Sequence, residues 1–478
     1  MTTSIDTGRK TRPWAVAVYL GFVFVLILSW MVIQPLNASP DELMRYDIVE
    51  YLVEHGTLPD GRDPEIRHEL WGISYAFNPI LAYMIMAIPA KFASLFTASS
   101  TAVLLAARLV NAVFGTIMAY LTLRIGEMLF RGRAKWMFAS LVTFLPGLVF
   151  VHSYVNNDSM ALLSVTWIVY TWIRSMKEGW SVKICVHLAC AISLCGLSYY
   201  NAYGYALCSI LFFVTTVLLF RDTKMDIKFL LSRGALITAI VLVLIGWWFV
   251  RNAIIYDGDF MGRNTSSLYA EMYAIEELKP SNRQTPQTLG MSIPGMMIWQ
   301  PESWPHNWLI TVMTSFVGTF GFMNIYMPYS ITRVYFLVCG IGFLGTFVSW
   351  RPLFSPHFDH MKKVKEQKGN LTVYTKKIYN HKSWNPRSVF HICMAIAMII
   401  PCILLVIYAY GNDFQAQGRY VLPMIIPFMY FVTYGYQTIL NRLIKSEKRK
   451  EYIYSGIAVL CVIGVLVTYF VTFLPNYR

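Results

Sequence analysis

Eleven long apolar runs constrain this chain more than any other feature of its sequence. They cover residues 14–36, 101–123, 136–153, 159–174, 183–200, 203–220, 230–249, 331–350, 389–410, 420–440 and 453–474. About 20 apolar residues in a helix span a bilayer. A chain that is 56% hydrophobic and 14% charged also has too few charged residues to form a soluble surface. We therefore predict an all-α polytopic membrane protein with about 11 transmembrane helices, and one integral membrane domain over residues 1–478.

Two further apolar stretches, 77–97 and 307–327, are interrupted by proline or polar residues. If neither crosses the bilayer, the loops on the side of the N-terminus carry 28 of the 40 lysines and arginines. Cytoplasmic loops are enriched in positive charge, so this threading is the favoured one. It predicts interfacial helices at both stretches, a cytoplasmic N-terminus and a C-terminus outside the plasma membrane.

This threading sorts the acidic residues as well, because 17 of the 26 aspartates and glutamates fall on the outer face. It predicts a first outer loop with interfacial helices at 35–100, a second large outer loop at 251–329 and a basic cytoplasmic loop at 351–388. Long loops of this kind are usually functional. The net charge of +14 lies mainly in the short inner loops, which predicts contact with membrane lipid and not with nucleic acid.

Three acids on the outer face are candidate catalytic residues. Asp41 and Glu42 lie in "SPDELMRYD", directly after the first span, and Asp158 lies in "VHSYVNNDSMALL" between two spans. Adjacent carboxylates repel, which raises one pKa and suits a general base. The same three acids could hold Mg²⁺ or Mn²⁺, if the reaction uses a divalent cation. The alternative is that Asp41 and Asp158 serve as caps of the following helices.

Arginines on the outer face are exceptions, because most basic residues of this chain are predicted to lie in the inner loops. Arg251 follows the seventh span in "WWFVRNAIIYDGD", and Arg419 lies in "QAQGRYVLP" before the tenth. The planar guanidinium suits a phosphate, so both are predicted to bind a lipid phosphate. The alternative for Arg251 is a side chain that extends to the interface. Arg108 and Arg333, near the outer ends of other spans, are secondary candidates.

Carboxylates and arginines at headgroup depth suit a reaction on a phosphate-bearing lipid. In glycosyl transfer from a polyprenyl-phosphate sugar, a carboxylate takes the proton of an acceptor hydroxyl. The oxygen attacks the anomeric carbon, and the phosphate leaves with its charge stabilised by arginine. Three alternatives stay open, namely a transporter of lipid-linked sugars, a polymerase or ligase of lipid-linked glycans, and a membrane scaffold without activity.

Five ordered motifs, "PDE", "NND", "WWFVRNAIIYDGD", "SFVGTFGFMN" and "QGRYVLP", resemble those of the GT-C superfamily of membrane glycosyltransferases. The resemblance is greatest to bacterial members that depend on a lipid carrier. It implies that Asp41 is the general base, that Asp158 is the second-loop acid and that Glu42 lies beside the centre. It places Arg419 and Arg251 at the donor phosphate. Further predicted substrate contacts from the same motifs and their flanks are Arg45, Asn157, Asn252, Tyr420 and Gln417.

Many relatives carry a histidine shortly after the acidic pair, whereas this chain has Arg45 and Tyr46 near that place. Because of this departure, a reaction that uses no cofactor and one that uses a divalent cation both stay open. We predict an inverting hexosyl- or pentosyltransferase of the plasma membrane. It would move a monosaccharide from a polyprenyl-phosphate donor to a cell-envelope glycan, lipid or protein acceptor on the outer face.

Overall fold

The computed structural model describes residues 11–220, 227–354, 363–368, 371–376 and 386–477. The helices up to residue 255 are α1 (Pro13–Ile33), α2 (Glu42–His55), α3 (Leu81–Ser94), α4 (Ser100–Leu129), α5 (Ala134–Thr143), α6 (Pro146–Val151), α7 (Asp158–Glu178), α8 (Val182–Gly196), α9 (Gly204–Phe220) and α10 (Ile227–Ile255). Those that follow are α11 (Arg263–Tyr273), α12 (Ile293–Ile298), α13 (Trp308–Gly318), α14 (Tyr329–Phe347), α15 (Trp350–Phe354), α16 (Pro386–Gly411), α17 (Ile425–Leu443), α18 (Glu447–Thr468) and α19 (Leu474–Tyr477). The predicted all-α polytopic class is confirmed.

Short 3₁₀ helices join several of these elements, at Pro64–Ile66, Tyr75–Phe77, Tyr200–Ala202, Glu276–Leu278 and Gly418–Met424. Within the described residues, seven helical stretches are long and apolar enough to cross a membrane: Pro13–Ile33, Ser100–Leu129, Tyr200–Leu218, Ile227–Ile255, Tyr329–Phe347, Pro386–Gly411 and Glu447–Tyr477. The other predicted spans are shorter, broken or more polar. The run 136–153, for example, divides into α5 and α6 because Pro146 begins a new helix.

The two uncertain stretches form short helices. Helix α3 has 14 residues and α13 has 11, both fewer than the roughly 20 that a span requires. Their predicted place at the outer interface is compatible with these lengths and stays a prediction. Helix α13 leads into an antiparallel pair of short strands, β1 (Thr319–Phe320) and β2 (Ile325–Tyr326).

The predicted basic loop 351–388 contains more regular structure than its charged composition predicts. After α15, strands β3 (Lys363–Lys368) and β4 (Leu371–Lys376) pair antiparallel. Valine and threonine within these segments favour extended backbone, although their many lysines conceal the pattern. Other parts of this loop, at 355–362, 369–370 and 377–385, lie outside the described residues.

Helices α14 and α17 approach one another through glycines. A Cβ atom built on Gly435 would lie 1.7 Å from the carbonyl oxygen of Gly342, and one on Gly345 would lie 2.8 Å from that of Gly435. Small residues let membrane helices pack with their backbones close together. This contact fixes α17, and with it the 3₁₀ helix at Gly418–Met424 that precedes α17 and belongs to the candidate site.

Arg108 of α4 fixes the point at which the chain leaves α1. Its guanidinium donates hydrogen bonds to the carbonyls of Met31, Gln34 and Pro35, at 3.1, 2.6 and 3.0 Å. Carbonyls at the end of a helix have no partner within the helix, so this arginine satisfies them. The Gln34 side chain also donates to Ser153 Oγ at 2.6 Å. The turn that leads to residue 41 is thereby held against α4 and the segment after α6.

Candidate functional site

Asp41 lies directly before α2 in the left-handed backbone conformation, with φ +61°. Aspartate is among the few residues other than glycine that tolerate this conformation. Its carboxylate does not cap α2. It accepts a hydrogen bond from Arg419 Nη2 and lies 3.6 Å from Arg45 Nη2. The side chain is 27% exposed, which makes Asp41 the most accessible of the three predicted catalytic acids.

The two arginines determine the charge state of Asp41. Burial disfavours the carboxylate, but the guanidiniums of Arg419 and Arg45, together with a hydrogen bond from Tyr75, outweigh it and lower the pKa of Asp41 to about 2. Asp41 is therefore an anion at neutral pH. Its basicity stays low for as long as both arginines remain beside it.

Asp158, the first residue of α7, meets the same arginine. Arg45 Nη1 donates to Asp158 Oδ2 at 3.0 Å, and both side chains are buried. The cap of this helix end is instead Asn156, whose side-chain oxygen accepts from the amide of Ser159 at 2.9 Å. The carboxylate of Asp158 is therefore free of the capping role, and Arg45 links the first outer loop to the start of α7.

Arg419 reaches Asp41 from the 3₁₀ helix before α17. Its guanidinium also donates to the carbonyl of Pro40 at 3.3 Å and to the hydroxyl of Tyr154 at 3.5 Å. The Nε atom of Arg419 is buried without a hydrogen-bond partner. An unpaired buried donor is costly, so this nitrogen can still donate a hydrogen bond to a further acceptor.

The chain around Arg419 is anchored to α13. The Gly418 amide donates to Ser315 Oγ at 2.6 Å, and the Trp308 indole donates to the Gln415 carbonyl at 2.8 Å. A Cβ atom on Gly418 would lie only 2.1 Å from the backbone nitrogen of Phe316. Glycine is thus required where the 3₁₀ helix passes α13, and this contact sets the position of Arg419.

A narrow cavity with room for about one water molecule lies beside Arg419. Its polar lining includes Tyr154, Ser315 and Gln417. The side-chain oxygen of Gln417 is buried without a partner, while its nitrogen donates to Gln415 Oε1 at 2.9 Å. Tyr420 donates to the same oxygen of Gln415 at 2.9 Å. Two of the predicted substrate contacts, Gln417 and Tyr420, therefore share one hydrogen-bond network next to Arg419.

Glu42 has a different environment from Asp41. It is fully buried and receives two hydrogen bonds from Arg108, at 2.7 and 2.6 Å, and a third from the Val155 amide at 2.9 Å. Arg108, a secondary candidate for lipid phosphate, is itself fully buried in this pair. The geometry favours a role for both in holding the first outer loop against α4 and the segment before α7.

Arg251 and Asn252 lie near the end of α10. Arg251 donates to the carbonyl of Pro59 at 2.7 Å, and its guanidinium lies 5.2 Å from the ring centre of Trp248. Asn252 is fully buried, and its side-chain nitrogen has no partner. These contacts connect Arg251 to the first outer loop at Pro59 and not to Asp41, so its place at the donor phosphate stays a prediction.

Asn157 and Arg333 complete the predicted set. The side chain of Asn157 is buried and donates to the Ser198 carbonyl at 2.9 Å, which places it at the start of α7 next to Asp158. Arg333 is exposed on α14 and lies 4.2 Å from the ring centre of Tyr329. Arg333 thus contacts an aromatic ring of its own helix.

The three acids predicted to hold a divalent cation do not form a suitable donor set. Asp41, Glu42 and Asp158 are paired respectively with Arg419 and Arg45, with Arg108, and with Arg45. Within the described part of the chain, the three side chains that bring ligand atoms within 4.8 Å of one another are Glu54, His55 and Glu65, all exposed. Carboxylates whose charge is already neutralised by arginine offer little attraction to Mg²⁺ or Mn²⁺.

Apart from Tyr420, sequence reasoning missed the aromatic side chains of the site. The ring centre of Tyr75 lies 5.0 Å from the Arg45 guanidinium, and Tyr154 accepts from Arg419. Tyr83 is fully buried, and its hydroxyl has no partner. Uncharged aromatic residues are abundant in this chain, and only the position of Tyr154 beside "NND" gave a signal that could have identified one of them.

A family model described as "Predicted membrane protein (DUF2142)" matches residues 70–429. No curated protein matches the chain. The matched region includes Asp158 and Arg419, whereas Asp41 lies before it.

Solved structures share the fold over nearly the whole chain. An oligosaccharyltransferase of Archaeoglobus fulgidus is 12% identical with a TM-score of 0.56, covering 98% of this chain and 56% of that one. ArnT of Cupriavidus metallidurans is 14% identical with a TM-score of 0.51, covering 96% and 65%. The mycobacterial arabinofuranosyltransferase AftD is 11% identical with a TM-score of 0.53, covering 99% and 28%. These proteins are of the GT-C type, so the predicted GT-C fold is confirmed. The chain spans about half the length of the oligosaccharyltransferase.

Proposed function

The chain belongs to the DUF2142 family of predicted membrane proteins, and from its GT-C fold and its site we propose that it is an inverting glycosyltransferase. It transfers a monosaccharide from a polyprenyl-phosphate donor to a cell-envelope glycan, lipid or protein on the outer face of the plasma membrane. The observation that carries the proposal is the pairing of Asp41, an accessible carboxylate, with Arg419, a buried guanidinium with an unused donor.

Arg419 binds the donor phosphate in this proposal. An ArnT structure contains undecaprenyl phosphate and an archaeal AglB structure contains dolichol-phosphate, so proteins with this fold bind polyprenyl phosphates. A phosphate that takes the guanidinium of Arg419 competes with Asp41 for it. The carboxylate then loses one of the two positive charges that lower its pKa, and it becomes a stronger base when the donor is bound.

Asp41 activates the acceptor. Its carboxylate takes the proton of an acceptor hydroxyl while the hydroxyl oxygen forms a bond to the anomeric carbon of the donor. The bond from that carbon to the phosphate oxygen breaks, and the electron pair stays on the phosphate. Arg419 stabilises the added negative charge on the leaving group. A single displacement of this kind inverts the configuration at the anomeric carbon.

The remaining predicted residues have separate roles. Asp158 supports the site through Arg45, and Glu42 anchors the first outer loop through Arg108. The predicted substrate contacts around this centre are Asn157, Gln417 and Tyr420, with Arg251 and Asn252 further along the outer face. The transferred sugar is a hexose or a pentose in this proposal.

The test is sugar transfer by the purified protein in liposomes, with radiolabelled polyprenyl-phosphate sugars and envelope fractions. We expect Asp41→Asn to lower transfer by about 10²–10⁴-fold, the usual contribution of a general base. Asparagine also tolerates a positive φ, so the backbone at this position is not a confounding factor. Glu69→Gln, which changes an exposed acid of the same loop, serves as the control. Full transfer by Asp41→Asn would remove Asp41 from the mechanism.

A second candidate is transfer of a finished glycan by a polymerase or ligase, because one structural neighbour is an oligosaccharyltransferase. The same assay distinguishes the two functions when donors that carry one sugar are compared with donors that carry an oligosaccharide. Preference for the single sugar supports the proposal above, and preference for the oligosaccharide supports the alternative.

A further inference from the structure

Arg45 occupies the space between two acids of the candidate site. Its Nη1 atom lies 3.0 Å from Asp158 Oδ2 and its Nη2 atom lies 3.6 Å from Asp41 Oδ2. The Arg45 side chain is 1% exposed, so water screens these contacts weakly. One guanidinium thus joins two carboxylates that come from different outer segments of the chain.

The aromatic surroundings hold this guanidinium in place. The ring centre of Tyr75 lies 5.0 Å from Arg45 Cζ, at a distance typical of a cation–π contact. Arg45 lies in the first turn of α2, four residues after Asp41, and its guanidinium reaches the Asp41 carboxylate from there. Arg45 is therefore a fixed part of the site.

The charges of this cluster balance without an added ion. Asp41 and Asp158 contribute two negative charges, and Arg45 and Arg419 contribute two positive charges. A divalent cation between the two aspartates would lie beside the buried positive charge of Arg45. The two positive charges would repel each other strongly at low effective dielectric. Burial of unbalanced charge is unfavourable, so the arginine and a metal ion are mutually exclusive at this place.

We propose that the guanidinium of Arg45 takes the place of a divalent cation between Asp41 and Asp158. It balances the charge of both carboxylates and positions Asp41, and the centre works without a bound metal. Arg45 acts through Asp41 and Asp158 and is thus a positioning residue. The inference depends on the proposed function only for its transfer measurement, because metal binding is measured directly.

The first measurement is Mn²⁺ binding to the full-length protein in detergent, detected by electron paramagnetic resonance. All samples carry His55→Ala, which removes one ligand of the exposed group that includes Glu54 and Glu65. With Arg45 present, we expect no Mn²⁺ that depends on Asp158. With Arg45→Ala added, we expect one Mn²⁺ per protein, and we expect Asp158→Asn to abolish it. Arg62→Ala, which removes a half-exposed arginine paired with Asp60 in the same loop, serves as the control.

Two results would overturn the inference. One is a Mn²⁺ site in the protein with intact Arg45 that disappears in Asp158→Asn. The other is a folded Arg45→Ala protein that gains no Mn²⁺ between the aspartates. If Arg45→Ala fails to fold, Arg45→Gln replaces it. The Mn²⁺ measurement on the protein with intact Arg45 then shows by itself whether the two aspartates bind a metal ion.

The second measurement is sugar transfer with and without a chelator. We expect wild-type transfer to be unchanged by the chelator, Arg45→Ala to lose transfer, and Mn²⁺ to restore part of it. Loss of wild-type transfer in chelator, with recovery on adding Mn²⁺, would contradict a metal-free centre. A protein that transfers no sugar under any condition would contradict the proposed function, while the Mn²⁺ binding result would still stand.

Discussion

Asp41 and Glu42 are neighbours in sequence but serve different parts of the structure. Asp41 is partly exposed and faces Arg419, whereas Glu42 is completely buried against Arg108. Because the backbone of Asp41 is left-handed, the two neighbouring side chains point into different environments. In the proposed function, this pair of adjacent acids supplies one group for the chemistry and one for the connection between α2 and α4.

We predict that Glu42→Gln destabilises the protein by about 3–5 kcal/mol, because it leaves the Arg108 charge buried without its partner. The measurement is the thermal unfolding midpoint in detergent. Glu50→Gln, which changes an exposed acid on the same helix, provides the comparison. A Glu42→Gln protein of normal stability that transfers no sugar would instead support a catalytic role for Glu42.

At the scale of single elements, the 3₁₀ helix Gly418–Met424 has the most direct control over the site. It carries Arg419 and Tyr420, and its first residue passes so close to α13 that only glycine fits there. The apolar run 420–440 was predicted as one span. The structure begins it with this tighter helix, and α17 starts at Ile425. Because the backbone is a 3₁₀ helix at this point, the Arg419 side chain reaches Asp41.

Gly418→Ala should therefore lower sugar transfer by about 10²-fold, since a misplacement of about 1 Å in a catalytic group has an effect of that size. The Cβ atom must displace the backbone of Phe316, and Arg419 shifts with it. Gly456→Ala is the matched control, because a Cβ atom on Gly456 in α18 meets no atom within 4 Å. Equal transfer by both variants would show that the position of the 3₁₀ helix is not limiting.

At the scale of the whole molecule, the proposal requires that all residues of the site lie on the same side of the membrane. The site gathers residues from the first outer loop, from the start of α7 and from the segment before α17. These regions are 113 and 378 residues apart along the chain. Their contact in the structure agrees with a threading that puts all of them on one face, whereas the identity of that face follows from the positive-inside rule alone.

We predict that an impermeant maleimide labels Glu65→Cys and Glu277→Cys in intact cells, and that it labels Lys445→Cys only after the membrane is permeabilised. All three positions are exposed, so labelling reports the side of the membrane and not burial. The unmodified chain gives the background from its own cysteines, of which six are buried and two half-buried. Labelling of Lys445→Cys in intact cells would show that the orientation is opposite to the predicted one and that the site faces the inside of the cell.

The sequence by itself determined the class of the protein. Long apolar runs must leave water, and helices satisfy their own backbone hydrogen bonds in lipid, so an all-α membrane fold was predictable from local composition. The motifs around Asp41, Asp158 and Arg419 were also visible, since charged residues are conspicuous beside apolar spans. Short-range pattern was sufficient for these predictions because both signals lie within single segments.

Only the tertiary structure decided how these residues pair. The bridge from Arg45 to Asp158, the burial of Glu42 by Arg108 and the contact of Gly418 with Phe316 join segments that are distant in sequence. The candidate metal ligands illustrate the difference, because the sequence shows three acids and several arginines but not which arginine neutralises which acid. Charge balance and close packing depend on which groups meet in space, and a linear pattern does not contain that information.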